Sequence, residues 1–572
     1  MPRLSAVSLH PLLVQSNESP ADSFPPLGSN LNALMVWPRF PPSFWGFEGM
    51  LEVIPERSIL PPLSLITVAA LCPAAWHIRL IDRAFEELRD EDLLWADLVM
   101  VSAMRAQRAD ARVVLSRARS LGRRTFIGGP WASSEPEAVV SEADHVLVGE
   151  AEDAFADIAA ALEQGTARKL YRIAAKPDMT RSPAPRYDLL RLDEYTSMPV
   201  QFSRGCPFQC EFCAIITMYG RRPRVKTSAQ LLGELETLYR LGWRKQVFIV
   251  DDNFIGNHSQ ALLSVRGLTA WQERHGYPFS FGTQVSIDLA DRPELLAAMV
   301  EANFIYVFIG IETPSAEGLK ECRKYQNLRG DSFSQVLRIQ QSGLWVLGGF
   351  IVGFDSDDQT IFEQQREFID RTAIAWAMTG FLQAIPTTPL FERLKCEDRL
   401  FDDGDAANFS PPNFRTMLPL PVLLQGLGHL LVALYQPEPF FQRAFRSLES
   451  WRPGATQRPP RDPLWYTLRV LFRSAWRQGV RSHYRRHYWR FLWLILWNWT
   501  REPVKLWFGF ITLLSAHHFL NYAPQVADEL EQECRAPKAD LLSEPANRVS
   551  PEFPLTIAQP LESPVPIQDR RS

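Results

Sequence analysis

Apolar and polar positions along residues 31–165 predict strands and helices in alternation. Short apolar runs (LNALMVW, HIRLID, ADLVMVSAM, RRTFIGGP and DHVLVGE) are separated by segments of helical periodicity such as LSLITVAALC and ARVVLSRARSLG. Strands that alternate with helices predict a parallel, doubly wound α/β sheet. In such a sheet the ligand site lies at the carboxyl ends of the strands. Gly128 and Gly129 follow one predicted strand, and Gly149 and Glu150 follow another. Three of these four residues at the ligand-binding edge are therefore glycines.

A second run of strands and helices predicts a second domain over residues 199–400, after a linker at 166–198. Its apolar runs include MPVQFSRGC, QVFIVDDNFIGN, FSFGTQVSIDLA, IYVFIGIETPS and LWVLGGFIVGFDSD, each followed by a helical segment. This order predicts a parallel (β/α) partial barrel, whose catalytic face is formed by the carboxyl ends of the strands. Polar or small residues gather at those ends, namely Asp251, Asp252, Asn253, Thr283, Gln284, Ser286, Gly310, Glu312 and Thr313. An acidic residue at such a position is equally typical of a cap on the next helix.

The remaining segments predict two disordered tails and a helical extension. Residues 1–30 are rich in Ser, Pro and Asn, and we expect disorder there and in residues 526–572. Residues 401–525 predict a helical extension. Its apolar segments YWRFLWLILWNW and LWFGFITLLSAHHFL are divided by TREPVK, so neither reaches the roughly 18 to 20 residues that span a bilayer.

The amino-acid composition of this extension is compatible with two interpretations. Residues 465–507 hold seven of the 17 tryptophans, with nine Arg or Lys and one Glu. Trp and Arg together are typical of a helix that lies in a membrane interface. A helical cap buried over the barrel mouth, with its arginines on the surface, is an equal alternative.

Whole-chain composition favours a globular protein of the cytoplasm. The chain has 572 residues, of which 46% are hydrophobic and 22% charged, enough for several cores. The net charge of -4 provides no global basic field for nucleic acid. Only three of the seven cysteines cluster, which favours a reducing compartment. No signal peptide is expected, because no basic segment leads into a long apolar run near residue 1.

The clustered cysteines are the most specific chemical signal in the chain. Cys206, Cys210 and Cys213 lie in SRGCPFQCEFC with the spacing C-x3-C-x2-C. Three thiolates on a four-iron cluster leave one iron open to a ligand that is not protein. Neither a disulfide framework nor a zinc site with paired C-x2-C motifs fits this spacing well. A three-thiolate zinc site completed by a distant histidine remains the alternative.

This cysteine motif resembles that of the radical S-adenosylmethionine (SAM) superfamily. The resemblance implies a [4Fe-4S] cluster held by the three cysteines, with SAM bound at the open iron and reductively cleaved to a radical that removes hydrogen from carbon. It further implies that Phe212 lies near the adenine of SAM. By the same resemblance, Asp252, Asn253, Gln284, Ser286 and Glu312 are expected to contact the methionine amine and ribose of SAM.

The first domain resembles the cobalamin-binding domain that precedes the barrel in the B12-dependent radical SAM subgroup. The domain order, PPLSLITVAAL, GGP and GEAE carry this resemblance. It implies that Gly128, Gly129, Gly149 and Glu150 contact cobalamin. A lower histidine ligand to cobalt is not expected, because Ala84 stands where the D-x-H-x-x-G motif would have histidine. A domain that binds another nucleotide, or nothing, is the alternative.

The chain as a whole, from about residue 31 to 522, is most similar to hopanoid C-2 methylases. VDDNFIGN, GIETP, Gln383 to Leu390 and the RxGxRxxYRRxxWR pattern at Arg477 to Arg490 carry this similarity. It implies methyl transfer from methylcobalamin to an unactivated carbon of a hydrophobic lipid, with an electron donor such as flavodoxin or ferredoxin. Peripheral membrane contact, which the tryptophan and arginine content of the extension favours, would suit such a substrate, and the net charge favours no nucleic-acid partner.

Two alternatives from other classes remain open. One is a cobalamin-dependent radical SAM enzyme that forms or rearranges rings without methyl transfer. The other is a metal-binding scaffold at a membrane with no catalytic activity. A transfer-RNA methylthiolating enzyme is disfavoured, because the sequence has no second three-cysteine cluster and no appended basic module.

Overall fold

The structure is a computed structural model that describes residues 24–401, 409–460 and 462–535. Most of the two predicted tails therefore lies outside the described residues. The described parts require a correction of both tail boundaries. Near residue 30, the amides of Leu27 and Gly28 donate to the carbonyls of Leu162 and Glu163 at 3.3 and 3.1 Å, so this segment is hydrogen-bonded to the first domain.

The first domain is built on a six-stranded parallel sheet with the order β2-β1-β3-β4-β5-β6. Its strands are β1 (Asn32–Trp37), β2 (His77–Asp82), β3 (Leu98–Ser102), β4 (Arg124–Gly128), β5 (His145–Val148) and β6 (Leu170–Arg172). The central β3 is buried at all five positions, as expected for a strand covered on both faces. The strand order reverses between β1 and β3, and this switch point is where such sheets bind ligands.

Helices cover both faces of this sheet. They are α2 (Leu63–Ala69), α3 (Asp90–Trp95), α4 (Arg108–Ser120), α5 (Pro130–Ser134), α6 (Pro136–Val139) and α7 (Phe155–Gln164). The short helix α1 (Glu48–Leu51) packs instead against the C-terminal region, where the Gly49 amide donates to His518 Nδ1 at 3.4 Å. Two separate apolar cores result, one of which includes Val99 and Val114 and the other Met100 and Phe155. The predicted doubly wound sheet is confirmed. The predicted linker at 166–198 is partly wrong, because β6 pairs with β5 and is too short and polar to show an apolar pattern.

The second domain is a partial barrel of six parallel strands with the order β14-β13-β12-β11-β10-β7. Its strands are β7 (Ser197–Val200), β10 (Gln246–Ile249), β11 (Ser280–Val285), β12 (Phe304–Glu312), β13 (Trp345–Val352) and β14 (Ala377–Phe381), while β8 (Ser203–Arg204) and β9 (Arg224–Val225) form a small antiparallel pair. The helices are α8 (Ile215–Met218), α9 (Ser228–Arg240), α10 (His258–His275), α11 (Pro293–Glu301), α12 (Ala316–Glu321), α13 (Ser332–Gln341) and α14 (Ile361–Thr372). The predicted (β/α) partial barrel is confirmed.

A helical extension follows the barrel, as predicted. Its helices are α15 (Pro389–Cys396), α16 (Leu420–Tyr435), α17 (Pro437–Ser450), α18 (Leu464–Ser474), α19 (Arg485–Trp499) and α20 (Pro503–Arg535), with a π-helical segment at Ala475–Arg481 between α18 and α19. The helix α20 extends ten residues into the predicted tail, because Val526 and Leu530 are buried against the core. The predicted boundary at residue 526 is therefore wrong.

One part of the extension, around Trp451 and Phe508, packs on the barrel at the amino ends of its strands. The helix α15 lies at the opposite end, where Arg393 pairs with Glu211 at 2.9 Å. Trp345 at the start of β13 contacts Trp451 and Phe508, with ring centroids 5.7 and 4.5 Å apart. Gln457 donates to the carbonyl of Gly343 at 2.9 Å, immediately before β13. The segments that carry Trp451, Gln457 and Phe508 therefore do not form the predicted cap over the barrel mouth. Within the described ranges, no helix has the length and apolar character needed to cross a membrane.

Candidate functional site

The three clustered cysteines lie on the loop between β8 and α8, at the mouth of the barrel. Gly205 fixes the entry to this loop with a φ of 94°, and a Cβ there would lie 2.8 Å from the carbonyl oxygen of Gly220. The Cys206 amide donates to that same carbonyl at 3.2 Å. Glycine before the first cysteine is therefore required by this turn.

Two buried amide side chains lie against the cysteine sulfurs. Asn253 Nδ2 is 3.9 Å from the Cys206 Sγ, and Gln326 Nε2 is 3.6 Å from the Cys210 Sγ, both within range of an N–H···S hydrogen bond. Burial raises the pKa of Cys213 to about 12 and also raises the pKa of Cys206. Thiols in such surroundings become thiolates when a metal binds and displaces their protons.

The donor set fits a four-iron cluster. Three cysteines on one loop offer one thiolate to each of three irons, and the amide donors are of the kind that surrounds cluster sulfurs. Among the residues that the structure describes, no three His, Cys, Asp or Glu side chains form a site for a single metal ion. Cluster ligation by Cys206, Cys210 and Cys213 remains a prediction.

Two aspartates at the end of β10 hold the backbone that leads into the cysteine loop. Asp251 accepts hydrogen bonds from the Phe202 amide at 2.8 Å and from the Ser203 hydroxyl at 2.7 Å, and Asp252 accepts from the Gly205 amide at 3.2 Å. Burial raises the pKa of Asp251 to about 7 and that of Asp252 to about 6. Both carboxyls position the loop, and neither caps α10, which Asn257 does. A contact of Asp252 with SAM remains a prediction.

The ends of β10 and β11 bring Asn253, Gln284 and Ser286 together. Asn253 Nδ2 lies 3.1 Å from the Ser286 hydroxyl, and the Ser286 amide donates to Asn253 Oδ1 at 3.2 Å. The Gln284 carbonyl accepts from the Phe254 amide at 2.9 Å. Asn253 and Ser286 therefore form a polar pair beside Cys206, and Gln284 is tied to the same strand ends through its backbone. Phe212, the predicted adenine neighbour, is half-buried, with its ring 6.4 Å from that of Phe354.

Glu312, at the end of β12, forms a buried ion pair that the sequence did not indicate. Its Oε1 lies 2.5 Å from the Lys324 Nζ, and both side chains are about nine-tenths buried. Burial by itself would lower the pKa of Lys324, but the charges of Glu312 and Cys210 outweigh burial and raise it. Lys324 therefore places a fixed positive charge near the cysteines. Glu312 does not cap α12, whose cap is Ser315.

Two glycines at the carboxyl edge of the first sheet adopt backbone conformations that favour glycine over other residues. Gly129 and Gly149 have φ values of 92° and 103°, and a Cβ at Gly149 would lie 2.4 Å from the Ile173 carbonyl oxygen. With Gly128 and Ser102, they leave small side chains along the carboxyl edge of β3, β4 and β5. An edge of this kind fits a large flat cofactor such as a corrinoid. The contacts themselves remain predictions.

Glu150 connects the first domain to the cysteine loop. Its two carboxylate oxygens pair with Arg204 and Arg224, each at 2.8 Å, and Arg204 also pairs with Glu152 at 2.7 Å. All of these side chains are largely buried. The predicted cobalamin contact of Glu150 stays a prediction, since the structure places its carboxylate against arginines. The role of Arg204, two residues before Cys206, was not predicted.

Gln326 provides a test of the cluster site that does not depend on turnover. We expect Gln326→Leu to make the midpoint potential of the reconstituted cluster about 40 mV more negative, since one lost hydrogen bond of about 1 kcal/mol no longer stabilises the reduced, more negative cluster. The measurement is a redox titration followed by electron paramagnetic resonance. Gln364→Leu, an exposed glutamine on α14, is the matched control. An unchanged potential would argue against a hydrogen bond from Gln326 to the cluster ligand.

An aromatic pocket of about 250 Å³ lies inside the barrel beside Glu312. Its walls come from β12, β13, β14 and the segment before α1, and they include Phe44, Trp45, Phe308, Phe350, Met378, Phe381 and Phe409. The polar side chains in these walls are Glu312, Thr379 and Gln383. The pocket therefore offers aromatic walls to the apolar part of a ligand and three polar side chains to its other groups.

Models of three protein families match successive parts of the chain. A B12 binding domain matches residues 55–159, the Radical SAM superfamily matches residues 200–363, and a domain of unknown function, DUF4070, matches residues 388–532. The first two matches coincide with the doubly wound domain and the barrel.

Two curated relatives match most of the chain. An uncharacterized methyltransferase from Synechocystis sp. is 41% identical over 509 residues, which cover 88% of this chain and 94% of that protein. The hopanoid C-2 methylase of Rhodopseudomonas palustris is 33% identical over 457 residues, which cover 78% of this chain and 86% of the relative.

A solved structure shares the fold. The radical S-adenosylmethionine methyltransferase TsrM from Kitasatospora setae superposes with a TM-score of 0.56 at 16% identity. The superposition covers 78% of this chain and 97% of that one.

Proposed function

Because the chain belongs to the family of cobalamin-dependent radical SAM methyltransferases, we propose that it methylates an unactivated carbon of a hydrophobic, polycyclic lipid of the hopanoid or terpenoid type. The family resemblance and its cofactors, a [4Fe-4S] cluster, SAM and cobalamin, are confirmed by the matching domains. Family membership favours methyl transfer over ring rearrangement and over a scaffold without catalysis. The lipid substrate is the new element of this proposal.

The aromatic pocket is the observation that carries the proposal. Eight apolar side chains surround it, and Glu312, one of its three polar side chains, is paired with Lys324. Apolar surface of this kind gains free energy when it is covered by the hydrocarbon part of a ligand. The name of the Rhodopseudomonas palustris relative supports a hopanoid in particular.

The chemistry of such a substrate explains why these cofactors are needed. A saturated or olefinic carbon has no acidic proton for a side-chain base to remove, so bound cofactors supply hydrogen abstraction and the methyl group. We propose that Cys206, Cys210 and Cys213 hold the cluster, and that Asp252, Asn253, Gln284, Ser286 and Glu312 orient SAM. Gly128, Gly129 and Gly149 would then lie along the corrinoid. The apolar walls exclude water from the reacting carbon.

An external reductant is required by this chemistry, and we propose a low-potential carrier of the flavodoxin or ferredoxin type. The test is reduction of the reconstituted cluster by each carrier under anaerobic conditions, followed by electron paramagnetic resonance. Reduction by dithionite but by neither carrier would argue against this partner class.

Lipid profiling of a deletion strain tests the substrate. We expect the parent strain to contain a lipid that is one methylene heavier than its counterpart in the deletion strain. Complementation with the wild-type gene should restore this product, and complementation with a Cys210→Ala gene should not. Identical lipid profiles, with SAM cleavage intact in the purified protein, would reject the lipid substrate and leave the family chemistry standing.

Trp45 provides a test of the pocket itself. Its ring contacts Phe308 at 4.9 Å and remains 45% exposed, so its loss should cost little stability. We expect Trp45→Ala to raise the KM for the lipid roughly tenfold, since about 1.4 kcal/mol of apolar contact is lost. The kcat of SAM cleavage should change little. Leu94→Ala, at an exposed leucine of the first domain, is the control, and an unchanged KM in W45A would exclude Trp45 from the substrate pocket.

A further inference from the structure

One stripe of large apolar side chains lies exposed along α18 and the π-helical segment. It consists of Trp465, Leu468, Phe472 and Trp476, and the spacing of three, four and four residues places them on one side of the helix. Trp465 is 63% exposed and Phe472 is 73% exposed. These side chains are therefore directed to solvent.

A second stripe lies exposed along α19. Trp489, Trp493 and Trp497 recur every four residues, and the rings of Trp493 and Trp497 stack with centroids 5.4 Å apart. Trp497 is 74% exposed. The opposite side of α19 is buried through Tyr488, Phe491 and Ile495, so the helix cannot rotate to hide its tryptophans.

These two stripes contain a large share of the exposed apolar side chains of the protein. Of the 19 large apolar side chains that are exposed in the described part of the chain, ten fall between Leu464 and Trp497. Trp489 Nε1 donates to the Gly479 carbonyl at 2.9 Å, so the second stripe begins beside the π-helical segment that carries the end of the first. Exposed apolar patches mark a surface that another body covers. We call this surface the tryptophan face, defined by the two stripes.

Arginines surround the tryptophan face. The sequence from residue 463 to 501 contains eight arginines and no Asp or Glu. Arg473 and Arg477 bind the α1 region, through the Ile54 carbonyl and the Glu52 carboxylate. By contrast, no carboxylate of the described residues pairs with Arg485, Arg486 or Arg490, all of them exposed. The face therefore combines exposed tryptophan with uncompensated positive charge.

We infer that the tryptophan face binds the surface of an anionic phospholipid bilayer. Tryptophan rings favour the headgroup depth of a membrane, and nearby arginines are attracted to anionic lipid. Charge complementarity selects this partner over a second copy of the chain, since two such faces would bring like charges together. This inference extends the proposed function by stating where the enzyme meets a lipid.

A large cavity begins next to this face. It measures about 1010 Å³, and Trp476, Arg477 and Arg481 contribute to its wall. The segment from Pro42 to Gly49 separates it from the substrate pocket, because Pro42, Glu48 and Gly49 line the cavity while Phe44 and Trp45 line the pocket. A lipid that leaves the bilayer at Trp476 would therefore enter this cavity, with the segment from Pro42 to Gly49 between it and the aromatic pocket.

Vesicle co-sedimentation of the full-length protein tests the inference. We expect the protein to pellet with phosphatidylglycerol-containing vesicles and to be released by high salt. Arg485→Gln/Arg486→Gln/Arg490→Gln should lower the partition coefficient about a hundredfold, since each arginine near an anionic surface contributes roughly a factor of five. Trp493→Ser/Trp497→Ser should lower partitioning onto the same vesicles by at least tenfold.

The controls distinguish binding through the tryptophan face from non-specific adsorption and from loss of the native fold. Leu94→Ser and Leu263→Ser change exposed leucines outside the face and should bind as wild type does. In wild-type protein, quenching of tryptophan fluorescence by brominated lipids gives a second measurement that needs no variant. Absence of pelleting and quenching would overturn the inference, as would equal losses in the leucine controls. Dimers that dissociate in W493S/W497S would identify a second copy as the occupant and also overturn it.

The outcome is separable from the proposed function. Methylation of a detergent-dispersed lipid requires the pocket and the cofactors, whereas vesicle binding requires only the tryptophan face. Normal methylation in detergent without vesicle binding would reject this inference alone. Vesicle binding without any lipid product would reject the proposed substrate alone.

Discussion

Replacing Cys210 by alanine is expected to abolish SAM cleavage by the reconstituted enzyme. Cys210 is buried beside Gln326 and Lys324, so no other thiol of the loop can move in to replace its sulfur. A cluster with two protein ligands would be lost or would be unable to bind SAM in the right geometry. We expect cleavage products at the background level and a loss of the iron–sulfur absorbance.

The matched control for this variant is Cys396→Ala. Cys396 lies exposed at the end of α15 and outside the cysteine loop, so its loss should leave both absorbance and cleavage unchanged. Retention of SAM cleavage in C210A, at a rate comparable with C396A, would contradict the assignment of the cluster ligands. Zinc in place of iron after anaerobic reconstitution would contradict it as well.

Replacing Lys324 by methionine is expected to destabilise the barrel by about 3 to 5 kcal/mol. The substitution leaves the Glu312 carboxylate buried without its partner, and an uncompensated buried charge is costly. Chemical denaturation of the protein without cofactors measures this change directly. We expect the unfolding midpoint to fall while the slope of the transition stays constant.

The double variant Glu312→Gln/Lys324→Met is the control for this prediction. Removing both charges replaces an ion pair with neutral groups of similar size, so most of the lost stability should return. If K324M unfolds at the same denaturant concentration as wild type, the pair makes no net contribution to stability. Lower SAM affinity in the double variant, at restored stability, would support a contact between Glu312 and SAM.

The fold could be predicted because its longest strands are apolar at nearly every position. Runs such as FIYVFIGIE and WVLGGFIV have no polar side to expose, which is typical of parallel strands covered on both faces. Short elements without this pattern were missed, and β6, with the sequence LYR, is the clearest case. The limits of the tails were also missed, since single buried residues such as Leu530 form no visible period.

Residues of the candidate site that belong to a motif or to a strand end could be predicted from the sequence. Residues that only tertiary contacts bring to the site could not. The cysteines and the strand-end residues Asn253 and Ser286 were found from spacing and position. Lys324 and Gln326 were missed because they lie at a short 3-10 helix (Tyr325–Leu328) after α12, where nothing in the sequence indicates an approach to Cys210. For the tryptophans of α19, composition indicated an unusual helix but not which of its sides faces solvent.

The arginine–glutamate network at Arg204 limits how this enzyme can be divided or recombined. Glu150 and Glu152 from one domain are the partners of Arg204 and Arg224 from the other, and the four side chains are buried together. A fragment that ends in the connecting segment would expose these carboxylates on one half and the guanidinium groups on the other. Chimeras that exchange the amino-terminal half between homologues should therefore transfer both glutamates and both arginines as one set.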